Sequence, residues 1–127
     1  MKSMPRISDA EWQVMKVIWR EGPCPATTVI ESLAEARNWT PATIKTLLNR
    51  LVKKRALSFE KIGRGYLYSA AVTETDCRHV EAEDFIDRVF DGALSPFLAH
   101  FTGRGRKLRP EDIAELERIL RESRRGP

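Results

Sequence analysis

Hydroxyl, amide and cationic side chains crowd one stretch of this chain, between residues 40 and 55, and no carboxylate interrupts them. At helical spacing, Ala42, Thr46, Asn49 and Lys53 fall on one side, with further polar residues beside them. Such side chains can donate hydrogen bonds and positive charge to the base edges and phosphates of a DNA major groove. The predicted nucleic-acid contacts of this stretch are Thr40, Ala42, Thr43, Lys45, Thr46, Asn49, Arg50, Lys53 and Lys54.

A helix must carry these side chains, and the sequence marks its start twice. Thr40 is a suitable N-cap, and Pro41 stands at the first helical position, where its missing N–H is no loss. Four apolar residues then recur along the opposite side, at Ile44, Leu47, Leu48 and Leu51. The pattern predicts a helix over about residues 40–55 with one face in a core and the other exposed.

Two shorter helices are predicted before this one. Ser8 and Glu11 have the spacing of a capping box, and the helix that follows them ends at Gly22-Pro23. A second helix is predicted from Thr27 to about Ala36. Three helices with short connections, the third of them basic, are typical of a helix-turn-helix.

A β-hairpin is predicted directly after the third helix. Aromatic and β-branched residues on both sides of Gly63-Arg64-Gly65 indicate two strands within residues 57–71. A hairpin in this position is a wing, and its tip carries Arg64, which can reach a phosphate or a minor groove. Arg64 and Tyr66 complete the predicted DNA contacts.

The charge distribution supports a nucleic-acid partner. Net charge is +4 for the 127 residues, yet residues 40–71 carry seven basic residues against Glu60 alone. Residues 72–97 carry two basic residues against seven acidic ones. One block is therefore basic enough to meet phosphates, and the next would repel them.

The remaining chain is predicted to be helical and to assemble. Thr73 can cap one helix, Ser95-Pro96 is predicted to start another, and Pro110 opens the last. The apolar stripes of these helices cannot form a sizeable core alone, so we expect two copies to interleave as a symmetric dimer. The predicted interface consists of Phe85, Ile86, Val89, Phe90, Leu94, Phe97, Leu98, Phe101, Ile113, Leu116, Ile119 and Leu120. The predicted fold is mainly α with a small β-hairpin, divided into residues 1–72, a winged-helix DNA-binding domain, and residues 73–127, a helical dimerisation region.

The sequence lacks the motifs that other classes of function require. No nucleophile–base arrangement or phosphate-binding loop is present, so we expect no enzyme activity and no cofactor. His79 and His100 are isolated, which predicts no metal site. Cys24 and Cys77 are expected to be free thiols in a cytoplasmic protein, since no apolar segment resembles a signal core or a membrane span.

Four stretches resemble the bacterial penicillinase-repressor family of transcriptional regulators: ISDAEWQVMKVIW, WTPATIKTLLNRLVKKRAL, GRGYLY and FIDRVFDGALSPFLAHF. The resemblance covers most of residues 7–101. It implies a winged helix joined to a dimerisation region, and a homodimer that represses transcription from an inverted-repeat operator. Family half-sites are of the TACA/TGTA kind.

The resemblance also implies a route of induction. In well-studied members a membrane-bound sensor metalloprotease triggers cleavage between Asn and Phe in the dimerisation region. The aligned pair here is His100-Phe101, so this chain lacks the asparagine. The paired CxC motifs of the copper-responsive members are also missing, since no cysteine follows Cys77.

Two alternative functions remain open at this point. One is a winged-helix regulator that senses a ligand and is not cleaved. The other is a winged-helix module that binds protein or RNA, with a basic third helix that does not select a DNA sequence.

Overall fold

The computed structural model describes residues 4–103 and 107–126. It is mainly helical with one two-stranded antiparallel hairpin, which confirms the predicted fold class. The elements are α1 (Asp9–Glu21), α2 (Ala26–Arg37), α3 (Pro41–Lys53), β1 (Leu57–Ile62), β2 (Gly65–Ala70), α4 (Glu74–Phe90), α5 (Leu94–Gly103) and α6 (Pro110–Arg125). The chain divides into two compact units, Met1–Glu81 and Ala82–Pro127, called here the first and second unit. The boundary predicted between residues 72 and 73 separates the DNA-binding role from the dimerisation role, and it stays a prediction.

The capping box at the start of α1 is confirmed. The Ser8 hydroxyl accepts from the Glu11 amide at 3.2 Å, and the Ser8 amide donates to Glu11 Oε1 at 2.8 Å. The helix ends at Gly22, whose φ of 79° is a left-handed value that glycine adopts without a Cβ clash. α2 begins at Ala26, one residue before the predicted start.

The start of α3 is also as predicted. Thr40 Oγ1 accepts a hydrogen bond from the Thr43 amide at 3.1 Å, and Pro41 is the first helical residue. The predicted apolar stripe is buried in the core of the first unit, at Ile44, Leu47, Leu48 and Leu51. Because this stripe is fixed against α1 and α2, the opposite face of α3 must point outward.

The tryptophans pack around this core. Trp12 and Trp19 meet edge to face with ring centroids 5.4 Å apart, and Trp39 also lies against the buried cluster. The indole N–H of Trp19 donates to the carbonyl of Val72 at 3.0 Å, which fastens the segment after the hairpin to α1. The core therefore joins residues that are far apart in the sequence.

The hairpin is closed by a two-residue turn. Gly63 has a φ of 60°, a left-handed value that glycine adopts without strain at the first position of such a turn. The register pairs Phe59 with Tyr68 and Lys61 with Tyr66. On its other side Tyr68 pairs with Cys24 through two backbone hydrogen bonds of 2.8 and 3.0 Å. The hairpin is thus tied to the segment between α1 and α2.

The second unit is packed differently. None of its described residues is buried, although many are apolar. Phe97 lies at the centre of an aromatic cluster, with ring centroids 6.0 Å from Phe85, 5.5 Å from Phe90 and 5.3 Å from Phe101. In the part of the chain that the structure describes, no helix is long and apolar enough to cross a membrane.

The predicted starts of the helices after the hairpin are right in two cases and wrong in one. Thr73 Oγ1 accepts from the Asp76 amide at 3.1 Å at the start of α4, and α6 begins at Pro110. α5, however, begins at Leu94, so Ser95 lies inside the helix and is not its cap. Proline is tolerated one residue later because the first amides of a helix have no intrahelical acceptor.

Candidate nucleic-acid interface

The outer face of α3 carries the cationic and amide residues in a continuous row. Lys45, Asn49, Arg50 and Lys53 are all exposed. Asn49 and Lys53 lie opposite the buried stripe, and Lys45 and Arg50 flank them on either side. Among residues 4–103 and 107–126, no carboxylate lies within ion-pair distance of Lys45, Arg50 or Lys53. These three charges therefore project from a rigid helix without neutralising partners, which suits a polyanionic ligand.

The threonines near the start of α3 use part of their hydrogen-bonding capacity within the helix. Thr40 Oγ1 donates to Thr43 Oγ1 at 3.0 Å in addition to capping the helix. Thr46 Oγ1 donates to the Ala42 carbonyl at 3.0 Å. The Thr43 hydroxyl is thereby an acceptor within the helix, and its own proton is left to donate. Thr46 presents a methyl group and lone pairs, while Ala42 presents a methyl group.

Lys54 is placed differently from the rest of the predicted set. Its ammonium donates to Glu11 Oε1 at 2.5 Å and to the Arg6 carbonyl at 2.8 Å, so it is turned toward α1 and the N-terminal segment. The side chain is 37% exposed, whereas its partner Glu11 is 1% exposed. Lys54 is therefore paired, unlike Lys45, Arg50 and Lys53, and its predicted DNA contact stays a prediction.

The carboxyl group of Glu11 is held in its charged form. Burial alone would raise the pKa of Glu11, but hydrogen bonds from the Lys54 ammonium and from Ser8 outweigh burial and lower it. A buried carboxylate with a matched ammonium is a structural ion pair, and its partner is not free to bind a phosphate without leaving Glu11 unpaired.

The hairpin brings Tyr66 beside the outer face of α3, and Arg64 stands in its turn. Arg64 is exposed in the turn, and Tyr66 is 46% exposed. The Tyr66 ring meets Phe59 edge to face at 5.1 Å, and Phe59 itself is 51% exposed. An exposed aromatic pair beside a cationic residue can pack on sugar groups and position a tyrosine hydroxyl at the backbone of DNA.

Sequence reasoning missed Phe59 and Lys61. Both share a face of the hairpin with Tyr66 and Tyr68, because residues two apart in a strand point the same way and the register pairs them directly. The alternation was visible in the sequence, and applying it to β1 as well as β2 would have found both residues.

A cleft of about 320 Å³ separates α3 from the hairpin. It is lined by Asn49, Val52, Lys53, Phe59, Tyr66 and Tyr68. A neighbouring cleft of about 390 Å³ shares Asn49, Tyr66 and Tyr68 and adds Lys45. Residues predicted separately on the helix and on the wing are thus brought together around Asn49.

Within the described residues, no three His, Cys, Asp or Glu side chains converge as metal ligands would. Cys24 and Cys77 are buried free thiols, and burial raises the pKa of both, which keeps them protonated and unreactive at neutral pH.

The predicted dimer-interface residues lie on α4, on α5 and on α6, and each is exposed or half-buried. Phe85, Val89, Leu94, Ile113, Ile119 and Leu120 are the exposed members. His100 is exposed, its ring 5.5 Å from that of Phe90, and Phe101 is half-buried. Both residues of the aligned cleavage position lie inside α5.

Three helices followed by a hairpin, with an unpaired cationic row on the third helix, define a winged helix-turn-helix protein. Residues 7–122 match the family described as penicillinase repressor. The penicillinase repressor of Bacillus licheniformis is 40% identical over 122 residues, covering 96% of this chain and 94% of that protein. The methicillin resistance regulatory protein MecI of Mammaliicoccus sciuri is 34% identical over 114 residues, covering 90% and 92%. This chain therefore belongs to the penicillinase repressor family, as its resemblance predicted.

Solved structures agree with this assignment. The DNA-binding domain of the repressor BlaI is 46% identical, with a TM-score of 0.54, over 60% of this chain and 93% of that one. The monomeric form of Bacillus licheniformis BlaI in complex with the blaP half-operator gives a TM-score of 0.53 at the same identity and coverage. The family consists of winged-helix transcriptional repressors and not of enzymes.

Proposed function

We propose that this protein is a homodimeric transcriptional repressor, which binds an inverted-repeat operator through α3 and the wing. The observation that carries the proposal is that Lys45, Arg50 and Lys53 are exposed on α3 and, among the described residues, have no carboxylate partner. Membership of the penicillinase repressor family supports it, as does the solved complex of BlaI with a half-operator.

The contacts divide along α3 by position. Ala42, Thr43 and Thr46 lie in the first two turns, the part of a recognition helix that reaches base edges. Their methyl groups and hydroxyls suit thymine methyls and base-edge donors or acceptors. Lys45, Arg50 and Lys53 bind phosphates and fix the register of the helix, because charge attracts the backbone without reading sequence.

The wing extends the same surface. Arg64 reaches the backbone or the minor groove next to the half-site, and Tyr66 donates its hydroxyl to a phosphate. Phe59 supports the Tyr66 ring through their edge-to-face contact at 5.1 Å. Asn49 lies in the cleft between helix and wing, where it can meet a base edge or the backbone.

A dimer gives the operator its symmetry. Two copies related by a two-fold axis present two α3 helices to two half-sites, which requires an inverted repeat. The exposed apolar residues of the second unit support dimerisation there, because a monomer would leave this apolar surface in water. A protein with this role acts in the cytoplasm.

The repressor releases its operator when the chain is cut in the second unit. Cutting the His100–Phe101 bond separates α6 from the rest of the chain and so weakens the dimer. A sensor metalloprotease would have to open the end of α5, since both residues are helical. Mass spectrometry of the chain from induced cells tests this route: a fragment ending at His100 supports it. An intact chain released from DNA by a small molecule would instead indicate a ligand-sensing regulator.

Fluorescence anisotropy tests the central claim. The full chain is titrated into a labelled duplex from upstream of its own gene that contains a TACA/TGTA inverted repeat, over a series of salt concentrations. We expect tight binding that survives scrambled competitor DNA and weakens steeply with salt, with a slope that reflects the phosphates contacted. Protection of two symmetric half-sites in a footprint would report the dimer.

Two results would contradict the proposal. Equal competition by scrambled DNA or by RNA would make α3 an electrostatic platform without sequence preference. If the chain does not bind this duplex even at low salt, DNA with the sequence of this duplex is excluded as its partner. Lys16→Met serves as the control variant, because Lys16 is an exposed lysine on α1 and not on the candidate interface.

A further inference from the structure

The end of the recognition helix is tied to the beginning of the chain through one ammonium group. Lys54 Nζ lies 2.5 Å from Glu11 Oε1 and 2.8 Å from the Arg6 carbonyl. Glu11 Oε1 is also held by the Ser8 amide at 2.8 Å, as part of the capping box of α1. The first turn of α1 and the segment that precedes it are thus linked to the C-terminal end of α3.

Lys54 also stands at the joint between the recognition helix and the wing. It is the C-cap of α3, and Arg55 after it adopts a left-handed φ of 67°. Ala56 is fully buried, and its amide donates to the Leu51 carbonyl at 3.0 Å. β1 begins at the next residue, so the direction in which the wing leaves α3 is set within these three residues.

We propose that Lys54 is a positioning residue: its ion pair with Glu11 fixes the angle between the recognition helix and the wing, and it does not neutralise a phosphate. The inference rests on the proposed DNA-binding function. Specific binding requires α3 and the wing to engage one duplex together, whereas non-specific binding needs only the unpaired charges. Lys54 therefore governs the preference for operator over other DNA.

The adjacent Lys53 provides the contrast. A lysine that binds a phosphate weakens binding uniformly across sequences when it is removed, and it lowers the salt slope by about one unit. A lysine that positions the wing lowers operator affinity, while the salt slope and the affinity for scrambled DNA stay the same. The two roles thus differ in measurements that protein stability alone does not move.

The experiment uses the full chain and two labelled duplexes, the inverted-repeat duplex described above and its scrambled counterpart. The variants are Lys54→Met, Glu11→Gln, the double variant Glu11→Gln/Lys54→Met, and Lys53→Met as the matched control. The double variant removes both partners and leaves no charge buried alone, so it folds even where Lys54→Met does not. Circular dichroism gives the folded fraction used to correct every affinity.

We expect the double variant to lose about tenfold in operator affinity, with a wild-type salt slope and wild-type affinity for scrambled DNA. Glu11→Gln should lose operator affinity in the same way although it keeps the lysine. Lys53→Met should weaken both duplexes alike and lower the slope by about one unit.

Three outcomes overturn the inference. A slope lowered by about one unit in the double variant, as in Lys53→Met, would make Lys54 a phosphate contact. Wild-type affinity for both duplexes in the double variant would make the ion pair irrelevant to DNA. If the wild-type chain itself shows no preference for the inverted repeat, the proposed function fails and the inference falls with it.

Discussion

The two units of this molecule contain similar amphipathic helices but use them in different ways. In the first unit, the apolar stripes of α1, α2 and α3 close on one another and on the base of the hairpin. In the second unit, the apolar residues of α5 and α6 stay exposed or half-buried. An apolar stripe therefore predicts burial, but it does not say whether the same chain or another one supplies the partner.

The difference bears on function. A complete core gives the first unit a rigid face on which to hold unpaired charges. The second unit leaves its apolar residues exposed or half-buried. In the dimer proposed above, the stability of the second unit would depend on protein concentration. All three tryptophans, Trp12, Trp19 and Trp39, lie in the first unit, so their fluorescence reports unfolding there.

The largest expected effect tests the closed core. Leu48 is fully buried, and Leu48→Ala should destabilise the first unit by about 2–5 kcal/mol through lost burial and the cavity left behind. Urea denaturation followed by tryptophan fluorescence measures this loss. Leu120→Ala is the control, since Leu120 is 56% exposed in the second unit and should leave the tryptophan transition in place. Equal effects of the two substitutions would remove the contrast between the units.

The second test breaks the proposed interface. Phe97 has three aromatic neighbours, and Phe97→Ala should raise the dissociation constant of the dimer about a hundredfold. Sedimentation equilibrium measures the constant, and Phe59→Ala, an aromatic truncation in the wing, should leave it unchanged. A wild-type chain that is monomeric at micromolar concentrations would refute the interface outright.

The third test uses acid. Because the pKa of Glu11 is lowered in the folded chain, the stability it contributes is present above the ordinary value of 4.5 and is lost as pH falls through the lower folded value. Glu11→Gln should cost about 1–2 kcal/mol at neutral pH and flatten this acid dependence. The control is Glu115→Gln: the pKa of Glu115 is lowered by Arg118, but Glu115 lies in the second unit. A tryptophan transition that shifts equally in both variants would contradict the assignment to Glu11.

Local signals explain why most element starts could be predicted from the sequence. The capping box at Ser8 and the Thr40-Pro41 pair act within four residues, so they need no distant partner to mark a helix start. The same reasoning failed at Ser95. There the turn after α4 closes through the Gly92 and Ala93 amides, which donate to the carbonyls of Ile86 and Phe90, and α5 begins at once.

Distant contacts explain what the sequence could not predict. Glu11 lies 43 residues from Lys54, and nothing in the KKR run distinguishes the lysine that pairs with it from its exposed neighbour Lys53. The pairing of Cys24 with Tyr68 is hidden for the same reason, because a backbone bridge leaves no side-chain signature. The faces of the helices could be predicted from the sequence. The direction in which a particular charged side chain points could not, because it depends on contacts with distant residues.

The smallest expected effect compares backbone strain in the two units. Arg55 has a φ of 67° in the first unit and Asp91 a φ of 51° in the second, and both are left-handed values that disfavour a Cβ. Arg55→Gly should be more stable than Arg55→Ala by about 1 kcal/mol, because both remove the guanidinium but only glycine removes the Cβ. The midpoint of the tryptophan transition in urea measures the difference. Asp91→Gly should leave that midpoint in place, since its strain lies in the unit that carries no tryptophan. Equal midpoints for the two Arg55 variants would show that the left-handed φ of Arg55 stores no measurable strain.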